Sequence, residues 1–85
     1  MKTISYQITD EHGLHARPAS QLSQEAKRFE SNIVVRKGEK EVNARQLLAL
    51  MGLGIRQGEE IAIVIQGADE ERAEKEIGEF LTKNL

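Results

Sequence analysis

Cysteine is absent from this 85-residue chain, which excludes a disulfide framework and a thiolate site. A chain this short without disulfides fits a reducing compartment, and the expected location is the cytoplasm. No apolar run is long enough to span a bilayer. The opening residues Met1 to Tyr6 lack the apolar core of a signal peptide, so no membrane partner is expected. Aromatics make up only 4% of the residues, too few for the stacking platforms of RNA readers. Neither sign of charge dominates: 12 basic and 14 acidic residues leave a net charge of −2, without a basic block. Nucleic acid is therefore not an expected partner. What remains is a hydrophobic fraction of 39% and a charged fraction of 31%, the composition of a folded chain. The length predicts one domain over residues 1–85 with a modest core.

Alternation of Ile4, Tyr6 and Ile8 with Ser5, Gln7 and Thr9 predicts a half-buried first strand. Asp10 to Leu14 reads as a polar loop. From Ala16 to Arg28 the apolar positions Ala19, Leu22, Ala26 and Phe29 recur at helical spacing, with Lys27 and Arg28 complementing the dipole in the last turn. Asn32 to Lys37 reads as a strand that turns at Lys37-Gly38-Glu39 and returns near Val42. Leu47 to Met51 reads as a short helix closed by Gly52 and Gly54. Asn43 and Gln46 stand at capping-box spacing, which starts that helix early, at Asn43. Glu60 to Gln66 is a strand with Ile61, Ile63 and Ile65 on one face, and Val64 opposite them predicts a central position. The last helix begins at Asp69 as N-cap. Its buried stripe is Ala73, Ile77, Phe80 and Leu81, with Glu71–Lys75 and Glu79–Lys83 as exposed pairs. Single apolar stripes on both long helices predict an α+β open-faced two-layer sandwich, ordered β-α-β-β-α-β-α.

The chemistry concentrates in Gly13-Leu14-His15-Ala16-Arg17-Pro18-Ala19. Gly13 admits a tight, close-approaching backbone, and the chain's one proline, Pro18, is pre-set for a first helical turn. His15 is thereby placed at a helix mouth, where the Ala16 and Arg17 amides and the positive dipole end suit a phosphate. Arg17 adds a guanidinium fork matched to phosphate oxygens. Imidazole, with a reference pKa near ~6.5, keeps a neutral nucleophilic nitrogen at pH 7. His15 is the expected phosphoryl acceptor and Arg17 the expected stabiliser of the phosphate. His12, alone in a polar loop, reads as a solvated side chain. Two histidines are too few for a zinc site, and no metal is expected.

This heptapeptide resembles the active-site motif of the HPr family, the histidine-containing phosphocarriers of the bacterial sugar phosphotransferase system. Glu41-Val42-Asn43-Ala44-Arg45, Leu47 to Gly54, Gly58-Glu59-Glu60-Ile61 and Gly67-Ala68-Asp69-Glu70 also resemble the family's pattern, so the likeness covers essentially the whole chain. It implies a four-stranded antiparallel sheet with three helices on one side, and attack on phosphorus by Nδ1. It implies a phosphoryl group taken from phosphoenolpyruvate-dependent enzyme I and passed to a sugar-specific IIA protein or domain, with no cofactor on this chain, which is a carrier rather than a stand-alone enzyme. It also implies a docking helix beside the histidine.

Leu47, Leu48, Leu50, Met51, Leu53 and Ile55 are too many for one narrow buried face. Leu50 and Leu53 are the expected core members. Leu47, Leu48 and Met51 are the expected partner contacts, with Ser20 and Gln24 lining the same interface. In low-GC Gram-positive members of the family, a regulatory serine stands where this chain has Gln46, which carries no hydroxyl to phosphorylate. That departure admits a specialised phosphorelay paralogue. The alternative function is an HPr-like regulatory module in which the same surface docks onto regulatory proteins under control of His15 phosphorylation. A monomer is expected.

Overall fold

The computed structural model describes residues 1–85. Strand β1 (Lys2–Gln7) is followed by helix α1 (Ala16–Lys27), strands β2 (Asn32–Lys37) and β3 (Lys40–Asn43), helix α2 (Leu47–Gly52), strand β4 (Glu60–Gln66) and helix α3 (Glu70–Asn84). The strands form one antiparallel sheet in the order β1-β4-β2-β3. Val64 pairs with Thr3 on one side and Val34 on the other, so β4 is central, as its two apolar faces predict.

Register decides which side of the sheet is covered. Ile63 stands opposite Ile4 and Val35, and Ile65 opposite Ile33. These β2 and β4 residues form a single buried cluster with Ala19, Leu22 and Ala26 of α1, Leu50 of α2, and Ala73, Ile77 and Leu81 of α3. Ile4, Tyr6, Val42, Leu47 and Phe80 pack against its margin. The alternate residues Thr3, Ser5 and Gln7 are exposed, so all three helices lie on one face of an open sheet. Full burial of one such side chain stabilises the fold by about 1.5–3 kcal/mol. The α+β sandwich and its element order agree with the sequence reading.

Four local expectations need correction. Helix α1 ends at Lys27; Arg28 is its C-cap, its N–H donating to the Glu25 carbonyl (3.1 Å) while the Phe29 N–H donates to that of Ala26 (3.4 Å). Helix α2 starts at Leu47 with Gln46 as N-cap, and neither side chain of the expected capping box caps it. Asn43 instead turns the preceding chain, its Oδ1 accepting from the Arg45 N–H (2.8 Å) and its carbonyl from the Gln46 N–H (3.0 Å). Local side chain-to-backbone bonding has won over a longer helix. Asp69 occupies the N-cap of α3 but makes no side-chain cap bond. Its carboxylate reaches across to the end of α1, accepting from the Glu30 N–H (2.9 Å), the Ser31 N–H (3.0 Å) and the Ser31 hydroxyl (2.5 Å). The Ser31 hydroxyl and the Glu30 amide hold this carboxyl at a pKa of about 2. Glu71–Lys75 and Glu79–Lys83 form no ion pair; on α3 the pair is Arg72–Glu76 (3.2 Å), and Glu76 also meets Arg28 (2.9 Å).

Candidate functional site

Three segments fix the loop between β1 and α1. From the end of α3, the Leu85 carbonyl accepts from the Thr9 N–H (2.6 Å), the Asp10 N–H (2.9 Å) and the Thr9 hydroxyl (2.8 Å). From the α2–β4 loop, Ile55 accepts from the Leu14 N–H (3.1 Å), and the Gly58 N–H donates to Ile8 (2.8 Å). Within the loop, the Asp10 carboxylate accepts from the His12 N–H (2.8 Å), and its carbonyl from the Gly13 N–H (3.0 Å). Gly13 has φ +66°, and a Cβ there would strike the Ile55 carbonyl oxygen and lie 2.9 Å from Arg56 Cα. Glycine is therefore required twice over, by backbone conformation and by contact.

This frame delivers His15 as the N-cap of α1, extended (φ −85°, ψ −177°) and exposed, with its carbonyl accepting from the Ala19 N–H (3.0 Å). Its side chain does not cap the helix, and the first turn holds no acidic residue. The contrast with α3 is direct, since Glu70 and Glu71 occupy the first turn there. At α1 the Ala16 and Arg17 amides have no intrahelical acceptor, and Pro18 has no N–H to offer. The positive end of the helix is left for an outside anion.

A polar hollow of about 250 Å³ opens at this helix mouth, lined by Asp10, His15, Arg17, Pro18, Gln21, Lys83 and Asn84. His15 and Arg17, paired in the sequence reading, thus border one space. Arg17 is exposed. Arg28, Arg36 and Arg72 pair with carboxylates, and Arg45 donates to the carbonyls of Phe29 (2.6 Å) and Ser31 (2.9 Å). Arg17 makes no such bond. Asp10, Gln21, Lys83 and Asn84 escaped the sequence reading. Lys83 and Asn84 come from the far end of the chain, and only the docking of α3 brings them here. Periodicity marked Lys83 as a surface residue, with no signal of which surface. His12 is exposed, as expected of a loop residue, but its ring stands edge-on to that of His15, centroids 5.6 Å apart with the planes at 77°.

The apolar residues of α2 divide as their number predicted. Leu50 and Leu53 are buried, Leu47 is half-buried against the core, and Leu48 and Met51 are 83% and 42% exposed. The chain leaving α2 is the strand of loop that bonds Leu14 through Ile55, so this apolar surface and the histidine belong to one connected frame. Ser20 is half-buried and Gln24 exposed, one turn apart on α1. Gln46 is exposed and bears no hydroxyl. No helix is long and apolar enough to cross a membrane.

Comparison with known proteins gives this geometry a family. A family model described as the PTS HPr component phosphorylation site matches residues 2–83. The phosphocarrier protein HPr of Lysinibacillus sphaericus is 41% identical over 98% of this chain and 94% of its own. A solved histidine-containing phosphocarrier from Mycoplasma superposes with a TM-score of 0.93 at 39% identity, covering 96% of this chain and 93% of that one. The Bacillus subtilis catabolite repression protein Crh, described as a dimer with a swapped domain, is 33% identical with a TM-score of 0.77 over 100% of this chain and 98% of its own. A histidine at a bare helix mouth, on a β1-β4-β2-β3 sheet, is thus a feature of a chain that belongs to the HPr family of phosphotransferase-system phosphocarriers.

Proposed function

We propose that His15 is the phosphoryl acceptor, charged by enzyme I of the phosphotransferase system and discharged to a sugar-specific IIA protein or domain. The observation that carries this reading is the exposed His15 at an uncapped helix start, sharing a polar hollow with an unpaired Arg17. In the transfer, the lone pair of a neutral ring nitrogen of His15 forms the new bond to phosphorus. The bond from phosphorus to the donor breaks, and its electron pair leaves with the donor. Arg17 and the Ala16 and Arg17 amides face the charge on the phosphoryl oxygens, both while it is transferred and after. The hollow is open to solvent, so the phosphoryl group is accessible to the next acceptor.

Partner docking is assigned to Leu47, Leu48 and Met51 on α2, with Ser20 and Gln24 on α1. Exposed apolar side chains on a helix whose following loop is bonded to the histidine loop through Ile55 suit a surface that must meet two different proteins in turn, and Met adapts its shape to each. Gln46 offers no hydroxyl, so regulation by serine phosphorylation at this position is closed to this chain. The carrier works as a monomer in the cytoplasm, where a swapped dimer of the Crh kind would register as a doubled mass in light scattering. The exposure of Leu48 and Met51 equally supports a regulatory module that docks according to the state of His15. Pull-downs with the phosphorylated and unphosphorylated protein separate the two readings.

The test is intact-protein mass after incubation with enzyme I, magnesium and phosphoenolpyruvate. The expected result is one acid-labile, base-stable phosphoryl adduct, absent from a His15→Ala variant whose thermal stability is unchanged. No adduct from an enzyme I active on another HPr refutes the carrier reading.

A further inference from the structure

We propose that Lys37 is a positioning residue for phosphoryl transfer: its ammonium clamps the end of α2 to the loop that holds the His15 segment, and so fixes the docking helix relative to the histidine. This rests on the carrier reading above. Helix α2 has six residues, no basic group in its last turn, and Leu53 as C-cap. A helix that short is not stable by itself, so its position is set by what ties it down. At the front, the Arg45 guanidinium donates to the Phe29 (2.6 Å) and Ser31 (2.9 Å) carbonyls, and the Ser23 hydroxyl donates to the Arg45 carbonyl (2.9 Å). In the middle, Leu50 is buried in the core. At the back, the Leu53 and Gly54 carbonyls accept from no backbone N–H. The donor both have is Lys37 Nζ, which reaches them from the end of β2 at 3.2 and 3.0 Å. It thereby brings to the negative end of α2 the charge that the helix's own sequence omits.

An ammonium has three N–H groups, and the third acceptor here is Glu59 Oε1 at 3.2 Å. The same oxygen accepts from the Arg56 N–H (2.7 Å), and the Arg56 amide together with Lys37 holds the Glu59 carboxyl below the usual carboxylate range. One side chain thus closes the loop 53–59 at both of its ends. Between those ends the loop is bonded to the segment that presents His15. The Ile55 carbonyl accepts from the Leu14 N–H (3.1 Å), the Gln57 side-chain amide donates to the Thr9 carbonyl (3.1 Å), and the Gly58 N–H donates to Ile8 (2.8 Å). Leu14 immediately precedes His15, and Ile55 immediately follows the Gly54 that Lys37 holds. Without the ammonium, two carbonyls lose their donor and Glu59 loses its counter-charge, so the loop and the end of α2 are free to shift together. The docking side chains Leu48 and Met51 keep their chemistry in that event, but their placement relative to His15 is no longer fixed. A docked partner is then held as firmly as before and aligned less well.

The experiment compares Lys37→Met, which keeps an aliphatic stem and removes the charge, with Gly38→Ala, which strains the same hairpin at φ +60° with open space around its Cβ. Two quantities are measured: hydrogen exchange of the Leu14 amide by NMR, and steady-state phosphorylation by enzyme I and phosphoenolpyruvate at varied carrier concentration. Lys37→Met should speed Leu14 exchange about five- to tenfold beyond any change at Ile63 in the middle of the sheet, the reach of a lost hydrogen-bonding partner. It should lower kcat about three- to tenfold, within what misplacement at a reacting centre costs. KM for the carrier should stay within about twofold, since the contact surface is intact. Gly38→Ala should lose stability, yet keep the parent's kcat and a Leu14 exchange that moves only in step with Ile63. An unchanged kcat in Lys37→Met overturns the proposal, as does Leu14 exchange that merely follows Ile63. So does an equal loss of kcat in Gly38→Ala, which would reduce Lys37 to a contributor to stability. No adduct on any chain removes the carrier reading and this role together, whereas adducts formed at the parent's kcat remove only the role of Lys37.

Discussion

Replacing Gly13 by alanine tests the frame that presents His15, and the structure supplies both the size of the effect and its control. Alanine at φ +66° costs about 1–2 kcal/mol, because its Cβ crowds the backbone in the left-handed region. The same Cβ runs into the Ile55 carbonyl oxygen and comes within 2.9 Å of Arg56 Cα. Those are backbone atoms, so the loops must part, adding about 1–3 kcal/mol as other overpacked sites do. Gly38 has a closely similar φ of +60° in the β2–β3 turn, with nothing within 4 Å of a built Cβ. Gly38→Ala therefore carries the conformational cost alone. For a domain of this size each kcal/mol moves Tm by about 4–8 °C. Thermal unfolding followed by circular dichroism should place Gly38→Ala about 4–16 °C below the parent, and Gly13→Ala about a further 4–24 °C below Gly38→Ala. Gly13→Ala should also accept phosphoryl groups more slowly, because the parting loops carry Leu14 and with it the backbone into His15. Equal Tm values for the two variants would refute the reasoning, since the contact with Ile55 would then contribute nothing.

Arg17→Ala should slow phosphorylation of His15 by about ten- to a hundredfold, within the reach of a removed charge-stabilising donor, with Tm unchanged; initial rates of adduct formation measure it. Leu48→Asp should leave stability within about 0.5 kcal/mol, as exposed substitutions do, while weakening binding to enzyme I or a IIA partner by about 1–2 kcal/mol in calorimetry. Gln46→Ser should raise stability to urea by about 0.5–1 kcal/mol, because Gln46 is the N-cap of α2 without a capping bond and serine provides one. The Asp69 carboxyl, held at a pKa of about 2 against an ordinary 3.8, contributes stability that is fully present above pH ~4 and lost as pH falls through about 2. Acid titration of the unfolding midpoint should show this loss in the parent and a shallower decline in Asp69→Asn.

Much of the fold could be read from the chain because its periods are unambiguous. Ile61, Ile63 and Ile65 alternate with a partly apolar opposite face, so β4 had to be central, and pairing to both β1 and β2 follows. Ala73, Ile77 and Leu81 recur at helical spacing and are fully buried, whereas Phe80, one position off the stripe, is only half-buried. Element ends were less legible because they depend on which polar group a capping side chain finds first. Asn43 carries the signature of an N-cap, yet its nearest free donor is the Arg45 amide, and that local bond holds the chain in a turn until Gln46. Asp69 stands at an N-cap but finds better donors at Glu30 and Ser31. That approach is close because Gly67 lacks a Cβ, which would lie 2.6 Å from Ser31 Cα. No local pattern reports a partner so remote in sequence.

The same division runs through the site. His15, Arg17 and the helix start are contiguous, so their chemistry is written in one heptapeptide. The hollow they border is closed by Lys83 and Asn84, and its loop is tied down by the Leu85 carbonyl on Thr9 and Asp10. Those contacts depend on α3 packing along β1, at the opposite end of the chain. His12 was the residue a linear reading discounts most easily, being polar, exposed and without periodicity. Its position follows from Gly13, whose positive φ folds the loop back so that residues three apart meet ring to edge. A glycine that a sequence marks only as a turn thereby brings the ring of the second histidine edge-on to the first.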